Sequence, residues 1–239
     1  MFDIRHVKDF ETVQRLVRAT DASRTEMMQR IIANSGVILD YHFSHYDEGS
    51  ILGANPDMTQ HSQYLLRFRA LGRERFICWE MAKIILAGSG MKLDGHKVLC
   101  PETAGFFLGH SVSEIIQPNN RAGLIIAKVS EVHRVVRNFN EPLRSGEIRP
   151  GEEVVVVNDV DHTGSSLEKL INIVRRFNGR VSKVLVFATW DYEDFQKRMS
   201  SLEVTGFALI EFRAEHWTKD VCPVCSRGND DLMPASDWS

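Results

Sequence analysis

The 239-residue chain has 43% hydrophobic residues, which is enough for a packed core without disulfides. Its 29 Lys and Arg residues against 32 Asp and Glu residues give a formal net charge of -3, which argues against a protein that coats nucleic acid through bulk positive charge. With 26% charged residues beside that apolar share, a disordered chain is also excluded. The composition therefore predicts a folded, enzyme-sized protein with no nucleic-acid partner.

The sequence shows no targeting or membrane signal. No run approaches the roughly 18 apolar residues of a transmembrane helix, and charges interrupt the N-terminal stretch MFDIRHVKDFETVQ every few positions. The chain has only four cysteines, of which Cys78 and Cys100 lie in apolar surroundings and are predicted to be small core residues. We therefore expect a cytoplasmic protein with reduced thiols and no membrane partner.

Along the N-terminal region, apolar residues at a spacing of about 3.6 predict one or two amphipathic helices over 7–33. The sequence Asn34-Ser35-Gly36 is expected to end them. The stretch 37–69 mixes short apolar runs with glycine, proline and polar residues, and this predicts short strands and a long loop.

From about residue 71, helical patterns and short apolar strands alternate. Helices are predicted over 73–87, 104–116, 165–177 and 191–201, strands over 97–100, 124–127, 154–157, 184–188 and 207–212, and a polar loop over 129–150. The strands are continuous apolar runs, which a parallel sheet covered on both faces requires. The sequence therefore predicts one α/β domain with an N-terminal elaboration.

One segment, VVVVNDVDHTGSSL at 154–167, joins a buried strand to a helix through a polar turn. A helix N-terminus supplies unpaired N–H groups and a partial positive charge, Gly164 lets the backbone approach closely, and neighbouring hydroxyls add donors. Open parallel sheets bind ligands at the carboxyl ends of their strands, where this turn lies. The segment predicts a phosphate site, in which Asp159 would suit a sugar hydroxyl or a metal-bound sugar.

An alternative is that residues 163–166 only cap the next helix, because Ser and Thr are preferred caps. A cap does not explain why Asn158 and Asp159 follow a run of four valines. The segment is neither a P-loop nor a dinucleotide fingerprint, since GK[ST] and GxGxxG are both absent.

The segment resembles the phosphoribosyl pyrophosphate (PRPP) motif of type I phosphoribosyltransferases, in which a hydrophobic strand ends in two acidic residues and a TTGxS-like loop. Four further pieces resemble orotate phosphoribosyltransferases and occur in the same order. They are IIANSGVILDYHF at 31–43 (similar to SGA-x-x-x-GHF), HSQY at 61–64 (HSxxY), CPETAG at 100–105 (GPExGG) and CPVCSRG at 222–228 (CPLCxxG). The resemblance implies a parallel sheet flanked by helices, with N-terminal helices and a hood at 1–70, a core at 71–228 and a flexible tail at 229–239.

The resemblance also implies an activity: transfer of 5-phosphoribosyl from PRPP to a nitrogen heterocycle such as orotate, with release of pyrophosphate, in pyrimidine nucleotide synthesis. Asp159, with Asn158, would hold the ribose hydroxyls. The 5-phosphate would lie among Asp161, His162, Thr163, Gly164, Ser165 and Ser166, and the pyrophosphate against the backbone amides of Glu102, Thr103 and Ala104. Mg²⁺ would bridge pyrophosphate and ribose oxygens. A homodimer is implied, with a mobile loop that reaches the neighbouring site.

The chain departs from this pattern in three places. Asn158 replaces the first acidic residue. The catalytic loop, roughly RKxxKxHG in orotate enzymes, aligns best with AKVSEVHR at 127–134, which keeps Lys128 and His133 but has Glu131 in place of the second Lys. Glu168 stands where some orotate enzymes place an Arg that reads the orotate carboxylate. These departures support an alternative function, a catalytically weakened relative that binds PRPP or a nucleotide and regulates another process.

Cys222 and Cys225 have the spacing of metal ligands, and a third reading makes the protein a zinc-binding interaction module. One CxxC supplies only two of the four ligands of a zinc ion, and His216 is a candidate for the third. Packing against the substrate pocket and redox chemistry are the other interpretations of this pair.

Overall fold

The computed structural model describes residues 5–45, 60–68, 74–90, 92, 95–102, 105–117, 124–127, 130–132, 136–138, 147–227 and 233–234. The helices are α1 (Phe10–Leu16), α2 (Thr25–Ser35), α3 (Arg75–Ser89), α4 (Gly105–Ile116), α5 (Ser165–Arg176) and α6 (Tyr192–Ser201). The strands are β1 (Arg5–Val7), β2 (Val17–Ala19), β3 (Ile38–His45), β4 (Gln60–Leu66), β5 (Lys97–Pro101), β6 (Leu124–Ala127), β7 (Ser130–Val132), β8 (Val136–Asn138), β9 (Glu153–Asp161), β10 (Arg180–Thr189), β11 (Gly206–Phe212), β12 (His216–Trp217) and β13 (Met233–Pro234).

The N-terminal region contains the two predicted helices. The carboxylate of Asp9 accepts a hydrogen bond from the backbone N–H of Thr12 and so caps α1, whereas Gly36 ends α2 in the left-handed conformation at φ 61°. Between them, β2 pairs antiparallel with β11. This strand was not predicted, because Val17 fits the helical spacing that precedes it.

A six-stranded sheet in the order β2-β11-β10-β9-β5-β6 forms the centre of the fold. Its five longer strands are mutually parallel. Val154 to Val157 on β9 are completely buried, because one core packs α3 and α4 against Val155 and Val157 while a second packs α5 and α6 against Val154 and Val156. The predicted parallel sheet flanked by helices is confirmed.

The order of the parallel strands places a crevice beside β9. Strand β6 lies outside β5, whereas β10 and β11 lie on the other side of β9, so the direction in which the chain builds the sheet reverses between β5 and β9. Open α/β sheets bind ligands at such a reversal, outside the carboxyl ends of the strands. The residues that follow β5 and end β9 therefore border the expected ligand crevice.

A second sheet in the order β1-β3-β4-β12, with β13 beside β3, draws strands from both ends of the chain. The boundaries predicted at residues 70 and 228 stay predictions, but strand pairing crosses the first of them. Met233 and Pro234 also pair with β3, so these two residues depart from the predicted flexible tail. The antiparallel pairing of β7 with β8 likewise corrects the prediction of a polar loop over 129–150 at these two strands.

No helix among the described residues is long and apolar enough to cross a membrane.

Candidate active site

Strand β9 continues four residues beyond the predicted end, so the polar residues of the PRPP-like segment begin on the strand itself. Asn158 pairs with Val186 and Asp161 with Thr189 of β10. Asn158 is only 4% exposed, and Asp159 is half-buried. Asn158 and Val160 both pair with β10, and this fixes the backbone of Asp159 between them at the carboxyl edge of the sheet.

Helix α5 begins directly after this strand with Gly164 as its N-cap residue. Gly164 has φ 81°, a left-handed conformation that favours glycine, and it offers no side-chain cap. The hydroxyl of Thr163 lies 3.3 Å from that of Ser165. A helix that was merely capped by Ser or Thr would carry the hydroxyl residue at the N-cap position. The structure therefore argues against the capping alternative, and the phosphate interpretation of this turn stays a prediction.

A buried ion pair holds the turn in place. The Arg198 guanidinium on α6 donates to the Asp161 carboxylate at 2.6 Å. The side chain of Asp161 is 2% exposed. Burial raises the pKa of the Asp161 carboxyl above its usual value, and the charge and hydrogen bond of Arg198 offset this only in part.

Asp161 was expected to contact the 5-phosphate, but its carboxylate is engaged by Arg198. Through Arg198 it ties residues 162–164, named the phosphate turn here for their predicted role, to α6. Arg198 also lies against Gly164, since a Cβ added there would come within 2.7 Å of the Arg198 Nε. The sequence did not reveal the pairing of Arg198 with Asp161, because the two residues are 37 positions apart and lie on different elements, α6 and β9.

At the segment predicted to bind pyrophosphate, α4 begins close to Asn158 of β9. A Cβ on Gly105 would lie 2.9 Å from the Asn158 Oδ1, so only glycine permits this approach without a shift. The backbone N–H of Glu102 donates to the carbonyl of Ala127 at 2.9 Å, and the Glu102 side chain is exposed. This corrects the expectation that the Glu102 amide faces a ligand. Thr103 and Ala104 lie outside the described residues.

Three rings meet where the second sheet reaches the phosphate turn. His162 stacks on His216 of β12 with ring centroids 4.8 Å apart and an interplanar angle of 25°. Trp190, at the end of β10, lies 4.8 Å from His162 and 3.8 Å from His216. Trp190 was not predicted to lie at the site, although it directly follows β10, a strand that neighbours β9 and ends at the same edge of the sheet.

The remaining predicted residues fall into three groups. Lys128 and His133 lie outside the described residues, so their catalytic roles stay predictions. Cys78 and Cys100 are buried, as predicted, and burial raises the pKa of their thiols to about 11 and about 12. Cys222 and Cys225 lie beside His61 of β4, away from that core.

The fold is shared with solved enzymes. An orotate phosphoribosyltransferase from Aeropyrum pernix superposes with a TM-score of 0.50 over 75% of this chain and 90% of its own, at 17% identity. The architecture is thus that of the type I phosphoribosyltransferases.

Sequence similarity gives the family. The chain is 31% identical to the orotate phosphoribosyltransferase of Desulforamulus reducens over 58% of this chain and 73% of the relative. It is 30% identical to the corresponding enzyme of Pelotomaculum thermopropionicum over 60% of this chain and 76% of the relative. No family model matches the chain. The chain belongs to the orotate phosphoribosyltransferase family, a family of pentosyltransferases, as its motifs predicted.

Replacement of Arg198 tests the ion pair. Because Arg198→Met leaves the Asp161 carboxylate buried without its cation, we expect the free energy of unfolding at neutral pH to fall by about 3–5 kcal/mol in urea titrations. Without Arg198 the pKa of Asp161 rises further, and a raised pKa destabilises the folded state as pH rises above the unfolded value of 3.8. The loss of stability should therefore be greatest at neutral pH and shrink as pH falls toward that value.

Two further proteins control this measurement. The double variant Asp161→Asn/Arg198→Met has no buried charge to leave unpaired, so it should be more stable at neutral pH than Arg198→Met. Lys83→Met removes an exposed ion pair with Glu80 and should change stability by only about 0–1 kcal/mol. Equal losses in Arg198→Met and Lys83→Met would contradict a buried pair.

Proposed function

We propose that the protein transfers 5-phosphoribosyl from PRPP to a ring nitrogen of orotate and releases pyrophosphate, a step of pyrimidine nucleotide synthesis. One observation carries the proposal. The N-terminus of α5, with Gly164 as its N-cap, follows the carboxyl end of β9 beside the reversal of strand order, and Asp159 stands on the same strand. In this proposal the phosphate site and the sugar-binding carboxylate lie within one short stretch of chain, from the end of β9 to the start of α5.

In this proposal the 5-phosphate accepts hydrogen bonds from the first-turn amides of α5 and from neighbouring hydroxyls. Negative charge at that position is favoured by the partial positive charge of the helix N-terminus. Asp159 accepts from the ribose hydroxyls, and Asn158 supports it from the buried side, where its Oδ1 lies against α4. His162, which contacts both Trp190 and His216, borders the same turn.

The donor set also suits Mg²⁺, which prefers hard oxygen ligands and commonly combines one or two carboxylates with substrate phosphates. Asp159 is a half-buried carboxylate at the sheet edge and would hold the ribose, whose oxygens would bind the ion together with those of pyrophosphate. When bound, the ion offsets negative charge on the departing pyrophosphate. The chain's own residues hold the two substrates in line, and catalysis then rests on positioning and on charge stabilisation.

Charge near the reacting carbon distinguishes this chain. Since Asn158 replaces an acidic residue, Asp159 alone of this pair supplies negative charge beside the ribosyl carbon as positive charge develops there. Lys128 and His133 are proposed to act on the pyrophosphate from the catalytic loop. The same substitution favours a second candidate function, a relative that binds PRPP or a nucleotide without turnover and acts as a regulator.

A turnover assay separates the two functions. With PRPP, Mg²⁺ and orotate, the absorbance of orotate should fall while pyrophosphate accumulates in equal amount. Asp159→Asn should lower kcat/KM for PRPP by about tenfold to a hundredfold, because it removes a charged hydrogen-bond acceptor. Glu168→Gln, an exposed change in the first turn of α5, is the matched acidic control and should retain PRPP use.

Other bases extend that assay. Pyrophosphate release with a different heterocycle but not with orotate would keep the transferase and reject orotate as acceptor. Tight PRPP binding without release from any base would favour the regulator.

The phosphate turn can be tested by a pair of glycine replacements. Gly164→Ala strains a residue at φ 81° and brings a Cβ against Arg198, so PRPP affinity measured by calorimetry should fall by about tenfold or more. Gly151→Ala imposes the same backbone strain at φ 78° in open space and should leave PRPP affinity unchanged. If both variants lose affinity equally, the effect is general destabilisation and the assignment of the turn is wrong.

We also propose a cytoplasmic homodimer, on the strength of the family. Light scattering coupled to size exclusion should give twice the mass of the chain. A monomeric mass at the concentration at which the enzyme turns over would exclude a site shared between subunits.

A further inference from the structure

A cluster of metal-binding side chains lies outside the proposed active site. His61 on β4 is joined by Cys222 and Cys225, which precede and begin the 3-10 turn Cys225–Arg227. The ligand atoms of the three side chains all lie within 4.8 Å of one another, and the Cys225 Sγ is 3.3 Å from the His61 Nδ1. His61 is 0% and Cys222 1% exposed, so the cluster is largely closed to solvent.

These separations match a metal site. Zinc–sulfur bonds of about 2.3 Å and zinc–nitrogen bonds of about 2.0–2.1 Å at tetrahedral angles place sulfur and nitrogen ligands about 3.5 Å apart and two sulfurs about 3.8 Å apart. The three side chains therefore need only small rotations to surround one ion. A set of Cys and His ligands binds zinc in preference to magnesium or calcium, which favour oxygen ligands.

The structure replaces the histidine that the sequence suggested. In the antiparallel pair of β4 and β12, His216 lies opposite Ser62 and Trp217 lies opposite His61. Opposed residues share a face of a sheet and successive residues alternate, so His216 and His61 lie on opposite faces. His216 stacks on His162 instead, and His61 takes its place beside the cysteines.

We propose that His61, Cys222 and Cys225 bind a structural zinc ion. Chain segments 161 positions apart meet here, and two thiols with an imidazole nitrogen in a buried space are poorly explained by apolar packing. A bound Zn²⁺ takes the thiols as thiolates and so compensates the charge that burial would otherwise penalise. A structural zinc ion takes four ligands, and because the described residues supply three, water or another ligand would take the fourth position.

The site has a consequence for the fold. Zinc there ties the segment after β12 to β4, and this holds β12 in the second sheet. Because His216 belongs to β12, the ion also maintains the contact between that sheet and His162 at the phosphate turn. The zinc ion thus has a structural role, and its binding does not depend on whether the chain turns over orotate.

The experiment measures metal directly. The full chain is expressed with zinc, purified under reductant without chelator and analysed by plasma mass spectrometry, with about one zinc ion per chain expected. Replacement of zinc by Co²⁺ should give thiolate-to-cobalt charge-transfer bands and intense visible bands of tetrahedral cobalt. Removal of the ion by chelation should lower the melting temperature, and added zinc should restore it.

Four substitutions identify the ligands. His61→Asn, Cys222→Ser and Cys225→Ser should each reduce bound zinc at least tenfold, whereas Cys78→Ala, which removes a buried thiol elsewhere, should leave it unchanged. His216→Asn should also retain the metal. If the ligand variants fail to fold, the zinc content and cobalt spectrum of the parent chain still decide.

Three outcomes would overturn the proposal. They are a parent chain without zinc, a cobalt spectrum without thiolate bands, and loss of zinc in His216→Asn but not in His61→Asn. None of these measurements uses enzymatic activity, so failure of the zinc site and failure of the proposed transferase remain distinguishable.

Discussion

The buried carboxylate of Asp161 is the interaction on which the site depends. It ends β9 and accepts from Arg198 on α6, and Arg198 also lies against Gly164 at the start of α5, so three elements meet at one point. The backbone carbonyl of Asp161 also accepts from the N–H of Trp190 at 3.2 Å. A carboxylate buried without partners would cost several kcal/mol, so this position can be occupied only while the surrounding turn keeps its shape. The buried charge therefore restricts the conformations that the phosphate turn can adopt.

Two glycines let helices start close to the residues that border the crevice. Gly105 lets α4 start against Asn158, and Gly164 lets α5 start against Arg198, so two helix N-termini border the reversal of strand order. This explains how a nearly neutral chain could bind a substrate with several phosphates. Backbone amides and helix dipoles supply positive potential without cationic side chains. The absence of the second lysine from the 127–134 segment is then compatible with binding, and its effect would fall on the departure of pyrophosphate.

Local sequence predicted what depends on local sequence. The parallel strands, the helices between them and the start of α5 at Ser165 followed from apolar runs and spacing. Arg198 and His61 were missed because their partners lie 37 and 164 positions away, and periodicity carries no information about which distant side chains meet. Strand β2 was missed for the same reason, since its pairing with β11 and not its spacing makes it a strand. The roles of the site residues stay predictions.

The second sheet connects the phosphate turn to the cysteine cluster. It is built from both ends of the chain, and β12 carries His216 to the phosphate turn while the following residues carry Cys222 and Cys225 to β4. A change at the cysteine cluster therefore reaches His162 through one short strand and one ring stack. A covalent or metal link has its largest effect where few other contacts hold a segment, and β12 is only two residues long. For that reason the C-terminal cysteines, with zinc bound as proposed, would determine how firmly the second sheet is held beside His162.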